Sequence, residues 1–331
     1  MWIKALKVIP RISSEEWTRL DLVSRWLIAS RSAVFVMTAT AGAIGGLLAY
    51  RVNLFHWGLF LEAILGIIFA HATNNLLNDY IDYKKGVDHD NYYRAQYGPH
   101  PLEHGLLTRR EFLAYVMVTG LIAVSFGLLL TWQVGPPTLW FFGAGLVFLL
   151  SYTWPLKYVG LGEPAVILVW GPLMIGGTYF VTTGGIWSSW VIVISLVYAL
   201  GPTTVLLGKH TDKLIQDREK DIHTLPVLLG EKITRYLIIS IWLLQYLLII
   251  YLVLTRQLTP FLLIVFFSFP LFMKTIKIFA SPRPLSPPAQ YAPETWPLYL
   301  VSYAFVYSRQ FGLLFIAGLI LDIVILHLAW W

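Results

Sequence analysis

Two acid-rich stretches stand out in a chain that otherwise carries little charge. The first, 74-NNLLNDYIDYKKGVDHD-90, sets Asn74, Asn75 and Asn78 beside Asp79, Asp82, Asp88 and Asp90. On a helix, Asn75, Asp79 and Asp82 share one face. Carboxylates on one face repel unless a cation sits between them, and carboxylate and amide oxygens suit Mg²⁺ rather than zinc. The second stretch, 208-GKHTDKLIQDREKDIHTLPVLLG-230, places Asp217 and Asp221 one helical turn apart, with Asp212 further upstream. Lys209, Lys213, Arg218 and Lys220 surround them, and Lys220 reads as a solvated base. Brought together, two such patches would hold divalent ions between them and clamp a diphosphate, with Lys and Arg taking the remaining negative charge. The competing reading of the first stretch is a hydrated helix end. Four carboxylates and three asparagines within 17 residues are costly beside a membrane, which weighs against it.

The elements that must position these groups are apolar helices. The 331 residues are 57% hydrophobic and 13% charged, where a soluble chain carries roughly 25% charge. Stretches of about 20 apolar residues can cross a bilayer, and nine candidates run at 31–50, 59–77, 111–131, 138–153, 163–183, 188–207, 235–254, 259–278 and 302–328. The fourth is short. Runs such as 239-ISIWLLQYLLIIYLVL-254 do not alternate, which excludes a porin-like barrel. The expected fold is therefore all-α and polytopic, with nine transmembrane helices around a central cavity. Residues 31–331 form that domain, and residues 1–30 a cytoplasmic segment with a short interfacial helix and no cleavable signal pattern. There is no cysteine, so disulfide and thiol chemistry are excluded.

Charge sets the orientation. With the N-terminus in the cytoplasm, the connections 78–110, 154–162, 208–234 and 279–301 lie on that side. All of the 24 lysines and arginines except Arg51 and Arg256 then fall there, as the bias of cytoplasmic loops requires. A net charge of +6 needs no nucleic-acid partner, because basic loops beside anionic lipid account for it. The expected location is the cell membrane, with both acidic stretches on the cytoplasmic side.

Between the acidic stretches, 151-SYTWPLKYVGLGEPAVILVWGPLMIGGTYFVTTG-184 carries Tyr152, Trp154, Tyr158, Lys157 and Glu163. It reads either as an interfacial aromatic belt or as the lining of a cavity that shields a reactive cation from water. In the second case Glu163 hydrogen-bonds an acceptor or orients Lys157. His71, one turn before Asn75, is either a ligand or a hydrogen-bonded packing histidine. His210 and His223 flank the second cluster without zinc spacing. Pro282, Pro284, Pro287, Pro288, Pro293 and Pro297 rule out one long helix over 279–301.

These motifs resemble the UbiA superfamily of intramembrane prenyltransferases, nearest to its 1,4-dihydroxy-2-naphthoate branch of the menaquinone pathway. That pattern, NDYxDYxxGxD, is matched by 78-NDYIDYKKGVD-88, and 152-YTWPLKYVGLGE-163 is similar to the middle signature. The segment 171-GPLMIGGTYFVTTG-184 resembles GPxxVxGTYYxxTG, and 217-DREKDIHTLPVLLG-230 resembles DRxxGxxTLPVxLG. The resemblance implies metal ligation by Asn75, Asp79, Asp82 and Asp88 with Asp217 and Asp221. It implies diphosphate binding by Asn75, Asn78, Lys84, Lys209 and Arg218, and catalytic roles for Asp79, Asp82, Asp217, Asp221 and Tyr152, the last lining the reaction chamber. Lys157 and Glu163 fall in the acceptor region.

Three positions depart from the family pattern. His100 stands in place of an Arg, Lys213 in place of a carboxylate or Asn, and Asp221 where this branch often has Gly. The implied activity is Mg²⁺-dependent transfer of a polyprenyl group from its diphosphate to a small aromatic acceptor, beside membrane lipid. Other acceptors stay open: 4-hydroxybenzoate, homogentisate or a glycerophosphate lipid. A divalent-cation or organic-anion transporter is the alternative from another class. Its midplane broken helices fit less well, because the acids cluster at one membrane edge.

Overall fold

The computed structural model describes residues 1–328 apart from 91, 290, 293 and 294, so Pro293 and residues 329–331 lie outside the described residues. A lipid core leaves the backbone only its own hydrogen bonds, and the regular elements described are helices. Three short ones come first: α1 (Trp2–Lys7), α2 (Ser14–Thr18) and α3 (Leu22–Ala29). Then follow α4 (Phe35–Arg51), α5 (Trp57–Lys84), the short α6 (Tyr93–Tyr97), α7 (Arg109–Val134) and α8 (Thr138–Ser151). The next span joins α9 (Gly162–Leu168), a π-helical stretch (Val169–Gly176) and α10 (Gly177–Thr182). Pro172 inside it has no N–H to give the ladder, and π geometry is one way to absorb that loss. The chain continues with α11 (Trp190–Asp212), short α12 (Leu214–Glu219) and α13 (Leu225–Leu229), and α14 (Glu231–Leu254). A 3₁₀ stretch (Pro260–Ser268) runs into α15 (Phe269–Ala280), and α16 (Leu300–Leu328) closes the described chain.

The chain is an all-α polytopic membrane protein. Eight helices among the described residues are long and apolar enough to cross a membrane, one fewer than the sequence suggests. The difference is α8. Pro136 and Pro137 precede it and Pro155 follows, leaving 14 helical residues. That is about 21 Å of helix against roughly 30 Å of hydrocarbon.

Close packing follows from small residues, as expected where lipid offers no hydrophobic drive between helices. A Cβ on Gly45 of α4 would lie 2.6 Å from the Ile175 carbonyl oxygen, so only glycine lets α4 lie on the π-helical stretch. At Gly208 a Cβ would come within 3.1 Å of the Val301 nitrogen. That contact seats α16 on α11, and the Asp212 carboxylate then accepts from the Leu300 and Val301 amides, both at 2.9 Å. Asp212 therefore caps α16, and the Arg283 guanidinium donates to it at 2.8 Å.

The ends opposite the acidic stretches are clasped. Arg51 at the end of α4 meets buried Asp322 of α16 at 2.6 Å and donates to the Gln257 carbonyl at 2.9 Å, while the Thr259 amide donates to Asp322 at 2.6 Å. Asp322→Ala leaves the guanidinium without its acid and the amide without an acceptor. It is expected to cost about 3 kcal/mol of stability, read as a lower unfolding temperature in detergent, with substrate KM unchanged. A shift in KM without a stability change would contradict a purely structural clasp.

The N-terminal helices fold over the acidic end. Trp17, Leu27 and Ile28 pack with Leu76, Phe112 and Val116, and the Ser32 hydroxyl donates to the Ala5 carbonyl at 3.0 Å.

Candidate active site

Helix α5 has 28 residues, about 42 Å of rise. This exceeds a hydrocarbon core by about two turns, and those last turns carry Asn78, Asp79 and Asp82. The face expected from the spacing is the buried one: Asn75, Asp79 and Asp82 are buried, as are Asp88 and Asp217 from the adjoining segments.

Each of these buried acids already holds a basic side chain: Arg at Asp79, Lys at Asp82 and Asp217, and His at Asp88. The Asp79 carboxylate lies 3.1 Å from Arg94 and 3.5 Å from Arg31. Arg31 sits in the left-handed region at φ 58°, the turn between α3 and α4 that carries its guanidinium inward. It also donates to the Asn75 backbone and side-chain oxygens at 3.0 and 3.2 Å. Lys157 donates to both Asp82 oxygens at 2.6 and 2.7 Å. Asn78 donates to Asp82 at 3.2 Å and accepts from Thr153 at 3.4 Å. Asp217 receives the Lys213 ammonium at 2.7 Å and the Tyr92 hydroxyl. Despite its burial, Lys213 is held well above the ordinary ammonium range, the Asp217 carboxylate being the main cause. Burial pushes the Tyr92 and Tyr152 phenols well above their usual range, so both stay protonated. Among the partners of Asp88, the His100 ring is at 2.9 Å; its Nδ1 accepts from the Glu103 amide, so its Nε2 donates to Asp88.

Both acidic stretches reach one cavity of about 1270 Å³. Asn75, Asn78, Asp82 and Asp88 line it from the first, and Lys209 and Lys213 from the second, whereas Asp79 and Asp217 lie outside its wall, buried behind Arg94 and Lys213. Arg31, Arg94, Tyr92 and Lys157 also line its polar mouth, while Ala63, Gly66, Val124, Leu130, Phe141 and Leu146 make its apolar depth. Lys4, Lys7 and Arg11 reach it from the N-terminal segment. Of the middle segment's aromatics Tyr152 lies in the wall, whereas Trp154 is exposed and neither it nor Tyr158 lines the cavity.

Several expected site residues lie elsewhere. Lys84 and Arg218 are exposed and are not in the cavity wall. The Asp221 side chain is 93% exposed, with His223 at 3.5 Å, and its backbone sits at φ 56°. The one-turn spacing of Asp217 and Asp221 does not put them on one face, because α12 ends at Glu219 and the chain turns before Asp221. Glycine relieves the left-handed conformation, so Asp221→Gly is expected to keep turnover within about twofold and the unfolding temperature equal or higher. A severe loss of turnover would return Asp221 to the site. Glu163 is buried but does not orient Lys157; His210 meets it at 2.6 Å and the Leu225 amide at 3.4 Å. His210 is thus a partner of Glu163, and the isolated bridge between Val159 and His223 ties the middle loop to the second acidic segment.

Sequence reasoning missed Arg31, Arg94 and Tyr92. Tyr92 and Arg94 follow the first acidic stretch closely and Arg31 lies far upstream of it, and nothing in their spacing distinguishes them from topology-setting bases and interfacial aromatics.

The sequence profile of the UbiA prenyltransferase family matches residues 35–296. The chain belongs to that family. It is accordingly a transferase. The rat UbiA prenyltransferase domain-containing protein 1 is 27% identical over 241 residues, 72% of this chain and 70% of its own length. The 1,4-dihydroxy-2-naphthoate octaprenyltransferase of Haemophilus influenzae is 25% identical over 222 residues, 63% of this chain and 70% of its own. The expected nearness to the naphthoate branch is therefore not sharpened, since the rat protein matches more of the chain. In structure, a UbiA homolog from Aeropyrum pernix K1 covers 87% of this chain and 97% of its own, with a TM-score of 0.65 at 15% identity. A UbiA homolog from Archaeoglobus fulgidus, bound to GPP and Mg²⁺, covers 86% and 99% with a TM-score of 0.51 at 14% identity. These likenesses concern the fold.

Proposed function

We propose that this UbiA-family chain transfers a polyprenyl group from a polyprenyl diphosphate to an aromatic acceptor such as 1,4-dihydroxy-2-naphthoate, on the cytoplasmic face of the membrane, in menaquinone synthesis. The observation that carries this reading is that Asp82 and Asp88 line the mouth of one apolar cavity together with Arg31, Arg94, Lys157, Lys209 and Lys213, with Asp79 and Asp217 buried behind the bases they pair with. A diphosphate matches the mouth, and a prenyl chain matches the depth.

The oxygen donors fit Mg²⁺. Asp79 Oδ1 and Asp217 Oδ2 are buried without a hydrogen-bond partner among the described residues. No group of three His, Cys, Asp or Glu side chains among the described residues forms a ready cage. Mg²⁺ is commonly held by one or two carboxylates together with substrate phosphates, and needs no such cage. Asp79, Asp82 and Asp217 would hold it, with Asn75, Asn78 and Asp88 beside them. When bound, Mg²⁺ supplies neutralisation of the charge that grows on the departing diphosphate.

The chain's own bases act in the same sense. Arg31, Arg94, Lys157, Lys209 and Lys213 turn toward the phosphate oxygens, which gives Asp82 and Asp217 up to other cations. The allylic C–O bond breaks with its electron pair on the diphosphate. Tyr152 and Trp170 wall the resulting allylic cation from water. An electron-rich ring carbon attacks, and a proton or, for a naphthoate, carbon dioxide leaves.

The orientation rests on the basic residues, all but two of which lie at the acidic end by the sequence count. The naphthoate rests on the motif resemblance and the Haemophilus influenzae relative. The test is an acceptor screen: purified protein, Mg²⁺ and polyprenyl diphosphates, with 1,4-dihydroxy-2-naphthoate, 4-hydroxybenzoate, homogentisate and a glycerophosphate lipid in parallel, read by product mass. Prenylated naphthoate is expected. Product only from another acceptor would reassign the substrate, and no product from any would sink the proposal.

A further inference from the structure

His71 lies one turn of α5 before Asn75, in the cavity wall and below the charged mouth. Its surroundings are aromatic. Trp170 of the π-helical stretch meets the imidazole edge to face at 5.6 Å between centroids, and Phe35 lies at 5.5 Å. Its Nδ1 is 2.6 Å from the hydroxyl of Thr38, a fully buried residue of α4. A threonine hydroxyl has one proton to place. Thr38 shows no other acceptor among the described residues, whereas its neighbour Thr40 gives its proton to the Val36 carbonyl. The Thr38 hydroxyl therefore donates to Nδ1, and the ring carries its proton on Nε2. That Nε2 has no partner among the described residues and is not among the sealed, unsatisfied atoms, so it opens on the cavity. One N–H donor in an aromatic slot is the usual build of a small-molecule subsite, with apolar walls for contact and one polar group for orientation.

We infer that His71 Nε2 donates a hydrogen bond to a ring oxygen of the aromatic acceptor, with Thr38 fixing the tautomer, and so selects acceptors that carry an oxygen at that position. The inference rests on the prenyl-transfer reading above. The spacing agrees with it: one turn separates His71 from Asn75 and about two separate it from Asn78 and Asp79, roughly 6 and 10–12 Å of rise. A ring held at His71 thus lies beside the bond that breaks at the mouth and leaves the mouth to the diphosphate. His71 is a specificity-determining residue here, and Thr38 a positioning residue acting through it.

The experiment uses geranylgeranyl diphosphate with 1,4-dihydroxy-2-naphthoate, and with the analogues that lack one or the other ring hydroxyl. It is read as product mass and as separate KM values for donor and acceptor. His71→Phe is expected to lower kcat/KM for the dihydroxy acceptor by about 10- to 100-fold, with the donor KM unchanged. It should also shrink the preference for the dihydroxy acceptor over one mono-hydroxy analogue. His71→Gln, which keeps a donor, is expected to recover most of the loss, and Thr38→Val to show a smaller loss of the same kind. An unchanged acceptor preference in His71→Phe overturns the inference. So does a change confined to donor KM, or a loss that His71→Gln shares in full. If the wild type prenylates no aromatic acceptor, the prenyl-transfer reading has failed instead, and the outcomes are distinguishable.

Discussion

Asp79→Asn and Asp217→Asn, made singly, are each expected to lower diphosphate release from a prenyl diphosphate by on the order of 10²- to 10³-fold. Both acids are fully buried, both have one oxygen with no hydrogen-bond partner among the described residues, and they come from different helices. Neither therefore substitutes for the other. Asparagine keeps the shape and half of the hydrogen bonding while removing the charge that a cation needs. The Asp79 substitution has a second effect. Two guanidinium groups, Arg31 and Arg94, then face each other without a carboxylate between them, at an expected cost of about 3 kcal/mol. Assays at a temperature where both variants remain folded, checked by gel filtration in detergent, separate the two losses. Turnover within threefold of wild type in both variants would contradict the shared-site account.

Lys157→Met is expected to show the second-largest effect, a loss of about 100-fold in kcat/KM for the donor. The ammonium is buried and bonds both oxygens of Asp82. In the proposed cycle it moves to phosphate when Asp82 takes another cation. Methionine keeps most of the stem and its packing but leaves Asp82 buried beside an apolar group. Excess Mg²⁺ is expected to rescue stability in part, because the freed carboxylate is then a stronger cation ligand, but not donor affinity. Donor KM read at several Mg²⁺ concentrations checks this. A variant with unchanged donor KM would assign Lys157 to structure alone.

Much of this site was legible in the sequence. The three- and four-residue spacing of Asn75, Asp79 and Asp82 fixes a shared face, and their cost beside lipid fixes that face inward. The meeting of two distant acidic stretches was also readable, because the basic residues put both on one side. What the spacing could not give is where a helix stops. Asp221 is one turn from Asp217 in sequence, but α12 ends between them and Asp221 turns outward at φ 56°. Lys84 and Arg218 neighbour the motifs along the chain yet face solvent. Arg31 and Arg94 pair with Asp79 through a left-handed turn and a short loop helix, long-range geometry that no periodicity encodes. The fourth candidate span, 138–153, is shortened for a local reason, prolines on both sides of α8. Lys213, a departure from the family pattern, becomes intelligible as the base that holds Asp217.

The most direct measurement of the central claim is diphosphate release from radiolabelled geranylgeranyl diphosphate by purified protein with an aromatic acceptor, followed with Mg²⁺ present and after its chelation. The expected result is release that requires Mg²⁺, is matched mole for mole by prenylated acceptor, and returns when Mg²⁺ is restored. Release at an undiminished rate after chelation, or passage of the intact donor across vesicles without any release, would contradict it.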